Sequence, residues 1–192
     1  MFVTACGTRR RYLYSRMGNQ RIVPCLWFDD QAEAAASFYE AHFPEGRGLA
    51  VASFPRSGPN PANKPPGSVR TVDFSIAGQR FTALSGGPMF RPNPSISFHV
   101  RLPDADAVDA LHAVLIERGV EAMPLDAYPW SPRHAWAQDR FGVWWQVVPE
   151  AVAAWLRSDD EAASDRVFHA LMPMRRADVA TLERAYRGDG AG

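Results

Sequence analysis

Apolar and polar positions along this chain set out one arrangement twice. The first copy opens on the apolar run IVPCLWF, turns acidic at Asp30, continues as a helical segment to Phe43 and breaks over 44–46. The second opens on SISFHVRL, turns acidic at Asp104, runs as a helical segment to Arg118 and stops at Gly119. The two helical segments match in length to within one residue. Ala35, Phe38 and His42 in the first, and Val108, Leu111 and Leu115 in the second, recur at i, i+3 and i+7, the spacing that lays one stripe of a helix on a sheet. Asp30 with Glu33 has capping-box spacing, and Asp104 follows a proline that cannot extend a strand ladder. Each copy closes on a glycine-led alternating strand, GQRFTAL from Gly78 and GVWWQVV from Gly142. Superposed, these strands place Phe81 on Trp145 and Thr82 on Gln146.

Between the helix and the closing strand, the first copy carries strand-like GLAVASF and GSVRTVDFSI. They are separated by PRSGPNPANKPPG, whose Pro, Gly and Asn content predicts an exposed loop. The second copy has a shorter stretch around Val120 to Met123 and then HAWAQDRFG, and it leaves open whether AYPWSPRHAW is a loop that folds over the cleft. Each unit is therefore strand, helix, then three strands. The predicted fold is α+β, with two paired βαβββ units, about 20–88 and 89–150, forming a cupped mixed sheet around a shared cleft. Beyond Pro149 the pattern is helical. Ser158 with Glu161 has capping-box spacing, and Val179, Leu182 and Tyr186 form a stripe ending at Gly188. The sheets already have their own helices, so this stripe predicts a further surface, namely a second copy in a twofold homodimer. Residues 151–192 form a C-terminal helical segment, and 1–19 an extension without an apolar face. Met17 is a candidate start, and 1–16 are expected to be dispensable.

Composition narrows the function classes. Of the 192 residues 46% are hydrophobic and the formal net charge is zero, so no long-range field favours nucleic acid or an anionic membrane. No apolar run approaches the ~20 residues of a membrane span. Cys6 and Cys25 stand far apart without metal-type spacing, which points to a reducing, cytoplasmic setting.

The segments IVPCLWFDDQAEAAASFYEAHFP, FTALSGGP, ISFHV, DRFGVWWQVVP and RVFHALMPMRRADVATLERAYRG together resemble the PhnB-like branch of the glyoxalase/bleomycin-resistance/extradiol dioxygenase (vicinal oxygen chelate) superfamily. Members of this branch often carry the description "3-demethylubiquinone-9 3-methyltransferase domain". The resemblance spans roughly 20–188 and implies the paired βαβββ fold. The methyltransferase description implies a glycine-rich turn opening a helix for S-adenosylmethionine, yet Gly86 and Gly87 run into Pro88 and further prolines. The superfamily's metal chemistry implies ligands on the first and last strands of both units. Counting back from the caps gives Val23 or Pro24 and Ser97 or Phe98, and the closing strands give Thr82 and Gln146. Gln146 then stands where metal-dependent relatives tend to carry glutamate, a carboxylate position that has lost its charge. With a slip of one residue, His99 becomes the single strong ligand. We therefore expect no catalytic metal and no cofactor.

Several side chains are candidates for ligand contact or catalysis. Gln146 fits either an amide satisfying its own sheet or a ligand-contacting one, since a neutral amide both donates and accepts. His99 shares a strand face with Ser95, Ser97 and Arg101, while Ile96, Phe98 and Val100 take the other face. His134 stands where relatives often show Cys-Gly-Trp and fits a general base or a solvated loop histidine. Trp144 falls on the Gln146 face and, with Trp136, could wall a binding site, whereas Trp27 and Trp145 fit the core. Cys25 fits an inert packing residue, and Asp139 and Arg140 fit a pin for the turn at Gly142. Ligand contacts are thus expected from Thr82, Ser97, His99, Trp136, Trp144 and Gln146. Three functions follow in order: a metal-free small-molecule binder of unnamed ligand, a metal-independent enzyme using His99 or His134 as acid or base, and a metal-dependent lyase or dioxygenase.

Overall fold

The computed structural model describes residues 20–58, 63–128, 131–174 and 178–189. The expected extension at 1–19, with Cys6 and the Arg9 to Arg11 run, lies outside them, as do Pro129, Trp130, Arg175 and Arg176. The chain divides into two compact units, Met1–Arg91 and Pro92–Gly192.

The first unit contains β1 (Cys25–Phe28), α1 (Ala32–His42), β2 (Arg47–Ser53), β3 (Val69–Ile76) and β4 (Gln79–Ser85). Its sheet has the order β1-β4-β3-β2, with β1 parallel to β4 and the other pairs antiparallel. Parallel pairing of the first and last strands is what a βαβββ chain requires, because the helix carries the chain back across the sheet. α1 packs on β3 and β4, and buried Ala35, Phe38, Tyr39, Phe74 and Phe81 form that core. Tyr39 stacks on Phe74, and Phe74 on Phe81, with ring centroids 5.5 and 5.4 Å apart.

Four local expectations change here. α1 begins one residue later than expected, with Gln31 as N-cap, and Asp30 does not cap it. The Ala32 N–H instead meets the Ser85 hydroxyl at 3.4 Å, so β4 supplies the acceptor. His42 is exposed, and Phe43, 5% exposed, takes the core position. Trp27 is not core: Leu26 and Phe28 point inward, while Trp27 lies half-buried on the opposite face, its Nε1 donating to Gly87 O at 2.8 Å. Cys25 shares that outward face and is an exposed free thiol rather than a packing residue.

The second unit repeats the plan with β5 (Phe98–Leu102), α2 (Ala105–Ile116), β6 (Val120–Tyr128), β7 (Ser131–Gln138) and β8 (Trp144–Pro149), in sheet order β5-β8-β7-β6. β5 is parallel to β8, and the rest are antiparallel. Asp104 caps α2 as expected, accepting from the Ala107 N–H at 2.8 Å. Val108, Leu111 and Leu115 are buried against the sheet with Val100, Ala135, Ala137, Trp145 and Val147. The AYPWSPRHAW segment is not a covering loop, because β6 and β7 pair through Tyr128↔Ser131, Asp126↔His134 and Met123↔Trp136. β-branched density is low there, and two prolines hide a strand that pairs with its immediate neighbour in sequence. The opening run is also shorter than expected: Ile96 lies before β5 and is 70% exposed.

Three helices follow in the same unit, α3 (Glu150–Trp155), α4 (Glu161–Leu171) and α5 (Val179–Arg187). α3 packs against β7 and β8. Val152, Val167, Leu171 and Leu182 form a buried cluster, with Val179 and Tyr186 packed against it. The α5 stripe therefore finds its surface within its own chain, which removes it as a reason to expect a second copy. Asp160, not Ser158, caps α4, accepting from the Ala163 N–H at 3.0 Å. Ser158 instead meets the Tyr186 hydroxyl at 3.0 Å and ties the α3–α4 link to α5. Gly188 ends α5 at φ 80°, as its place in the sequence predicts. Among the described residues no helix is long and apolar enough to cross a membrane.

Candidate functional site

Both closing strands hold the register that the sequence repeat implies. Thr82 pairs with Cys25 in the first unit, and Gln146 pairs with His99 in the second. The first-strand positions are therefore Cys25 and His99. Counting from the caps misplaced them because the turns between strand and helix are shorter than assumed.

In the first unit this row is self-contained. The Thr82 hydroxyl donates to Asp73 Oδ1 at 2.6 Å, across the Asp73↔Thr82 pair of β3 and β4. Partial burial, and then the Asp73 carboxylate, push the Cys25 thiol up, away from the reactive thiolate.

The second unit gathers the other candidates. Alternation along β8 sends Trp145 and Val147 to the α2 side and Trp144 and Gln146 to the other. Across that second face, register puts His99, Gln146 and Trp136 in one row on three adjacent strands. Arg101 follows His99 by two on β5, and His134 precedes Trp136 by two on β7, so Arg101 and His134 flank the row at one end. Gln146 Nε2 donates to Ser97 Oγ at 2.8 Å, which holds the amide plane. Trp136 and Trp144 lie half-buried with ring centroids 5.5 Å apart, and both indole Nε1 atoms are buried without a hydrogen-bond partner among the described residues. A buried donor left unmade costs about 1–3 kcal/mol, so this pair is a strained feature for plain packing and a useful one for a ligand acceptor.

His99 and His134 form a pair with ring centroids 6.4 Å apart, and Tyr128 meets the His134 ring edge-on at 5.8 Å. His134 is 5% exposed and sits in a strand, which overturns the solvated-loop reading. Both imidazoles titrate below their ordinary range. For His99 the cause is lost hydration, followed by Arg101 and Arg157; for His134 it is burial, followed by His99 itself. At neutral pH both rings are therefore uncharged and able to accept a proton.

Sequence reading missed the anchor beneath this face. Asp139, 3% exposed, accepts from the Phe141 N–H at 2.8 Å, the Val143 N–H at 3.0 Å and Trp145 Nε1 at 2.8 Å. It pins the Gly142 turn as expected. It also locks the Trp145 ring, and with it the alternation that turns Trp144 and Gln146 outward. Its position six residues before a tryptophan is the only hint of that in the sequence. Arg157, which follows α3 and adds to the lowering of His99, was not a candidate either, because nothing in the sequence links the two.

A family model described as 3-demethylubiquinone-9 3-methyltransferase matches residues 20–148. The PhnB protein from Bacillus cereus aligns at 28% identity with a TM-score of 0.61, covering 68% of this chain and 99% of its own. Protein PA1353 from Pseudomonas aeruginosa aligns at 25% identity and a TM-score of 0.54, covering 67% of this chain and 96% of its own. The fosfomycin resistance protein FosX from Listeria monocytogenes aligns at 10% identity and a TM-score of 0.47, over 69% and 94%. The comparison with curated proteins finds no match.

Proposed function

This chain belongs to the 3-demethylubiquinone-9 3-methyltransferase family, and from that premise we propose that it binds a small molecule on the Gln146 face of its second sheet, without a catalytic metal. The observation that carries the proposal is the His99–Gln146–Trp136 row with Trp144 beside it. An amide held by Ser97, two indole donors without partners and two neutral imidazoles share one aromatic-lined face. Such a mixture of apolar wall and few convergent polar groups is what small ligands select.

Donor chemistry supports the metal-free part. An open Lewis-acid site takes about three strong side-chain donors, typically imidazole and carboxylate. The four register positions offer Cys25 with Thr82, and His99 with Gln146; the threonine and the glutamine are already hydrogen-bonded to neighbours. Among the described residues, no three His, Cys, Asp or Glu side chains gather in a group that could hold a metal ion. The family's descriptive label would call for a methyl donor. The residues do not fit the glycine-rich nucleoside-binding turn expected for one: the Gly86 and Gly87 amides donate to Phe28 O and Asp29 O, and no helix opens directly after them. The free Cys25 thiol and the wide cysteine spacing support a cytoplasmic setting for this binder. The homodimer is part of the same proposal, on the strength of the resemblance alone.

Native mass spectrometry of the freshly purified chain tests this reading. A small organic mass carried by the wild type and lost in Gln146→Leu supports it. Near-stoichiometric divalent metal surviving dialysis, and lost in His99→Gln, contradicts it. A second reading, acid–base catalysis without metal, is favoured by the His99–His134 pair. It predicts a rate that rises with pH along one histidine limb and disappears in His134→Gln.

A further inference from the structure

We propose that this same face takes a planar organic acid, with its anionic oxygens held among Arg101, Arg157 and the His99–His134 pair and its ring against Trp136 and Trp144. This rests on the reading of the Gln146 face as the binding surface. Binding draws one proton from solvent onto the imidazole pair.

Arg133, Arg140 and Arg187 each meet a carboxylate, from Asp109, Glu117 and Glu183 respectively. Among the described residues neither Arg101 nor Arg157 has such a partner, although both act on the His99 ring. Arg101 lies two residues along β5 from His99, on the same exposed alternation, since Val100 and Leu102 are the buried positions. Arg157 follows α3, which packs on β7 and β8.

Of the groups on the neighbouring strands, Asp126 carries counter-charge. β8 offers Gln146 and Trp144, both neutral, and β6 offers Tyr128, edge-on to His134. Asp126, the register partner of His134, is solvent-exposed, and its Oδ1 accepts from the Ala127 N–H at 2.8 Å, so its charge is screened by water at the sheet's edge strand. Arg101 and Arg157 are exposed guanidiniums without carboxylate partners, and beside imidazoles kept neutral chiefly by lost hydration they offer positive charge to an anion arriving on this face. The shape of the site argues for a ring behind the charge, because the paired indoles lie one strand away on the same face.

An arriving anion raises the affinity of the nearby imidazoles for a proton. In the free protein they are neutral at pH 7, so affinity strengthens as pH falls from about 8 towards 6. It levels off below the pH at which the free pair itself protonates.

Calorimetry with three probes tests the proposal: benzoate, phenyl phosphate and the neutral isostere benzamide, each at pH 8 and pH 6 in two buffers of different ionisation enthalpy. We expect at least one of the two acids to bind ~10-fold tighter than benzamide, the scale of one charge-assisted hydrogen bond. Its affinity should improve at pH 6, with proton uptake read from the buffer dependence, and Arg101→Gln and Arg157→Gln should each lose ~10-fold while Arg187→Gln changes nothing. Which acid binds tighter distinguishes a carboxylate from a phosphate ligand. Equal binding of benzoate and benzamide, lost in Gln146→Leu, overturns the acid while leaving the binding face intact. Absence of binding by both acids also overturns it, and acid binding unaffected by both Arg101→Gln and Gln146→Leu sinks the face as well.

Discussion

Gln146 and Asp139 sit seven residues apart in one segment and divide the labour between ligand and fold. Asp139 is a buried acceptor for three donors, so Asp139→Ala leaves three N–H groups unmade and should cost about 3–5 kcal/mol in urea denaturation. A loss below about 1 kcal/mol would show that the turn does not depend on it. Gln146 lies at the partly exposed end of such accounting, and Gln146→Leu should leave stability within about 1 kcal/mol while abolishing ligand retention. Gly86 carries a third test. A Cβ there would meet the Trp27 ring at 2.3 Å, so Gly86→Ala must turn the indole away from Gly87 O. We expect about 1–3 kcal/mol of destabilisation together with a shift in tryptophan emission. Glutamine amid tryptophan and valine was conspicuous in the sequence, because alternation alone places it opposite Trp145. Burial of His134 was not, since it depends on β6 pairing that the prolines at 124 and 129 conceal.

At the scale of elements, the repeated strand–helix–three-strand unit was legible because its signals are local: caps, glycine-led strands and two matching stripes. What failed was whatever another element supplies. Ser85 replaces the Asp30 cap, Phe43 displaces His42 from the core, and the α5 stripe is covered by α3 and α4 rather than by a partner. Leu182, fully buried in that cluster, gives the check. Leu182→Ala should lower stability by about 2–5 kcal/mol and leave the particle mass in light scattering unchanged. Dissociation of a dimer at unaltered unfolding free energy would return the stripe to the interface instead.

For the whole molecule, the depressed histidines tie fold and site together. His134 is neutral in the folded chain and protonates more readily unfolded, so the unfolded state binds more protons as pH falls below the ordinary value of 6.5. Stability contributed by the neutral ring is complete above that pH and is lost on acidification through it. The melting temperature should therefore decline from pH 7 to pH 5, less steeply in His134→Gln, and an unchanged slope would contradict the burial described. Light scattering at micromolar concentration decides assembly by separating one 21.3 kDa chain from two.

The central claim is that the Gln146 face, and no metal, receives the ligand. Amide and indole NMR spectra of the full chain, recorded with and without a mixture of small aromatic acids and amides, test it most directly. The account predicts that the shifted signals are the Trp136 and Trp144 indole N–H, the Gln146 side-chain amide and the backbone of His99, and that a chelator leaves the response unchanged. Shifts confined to other parts of the chain, or a response that appears only when a divalent metal is added, would contradict it.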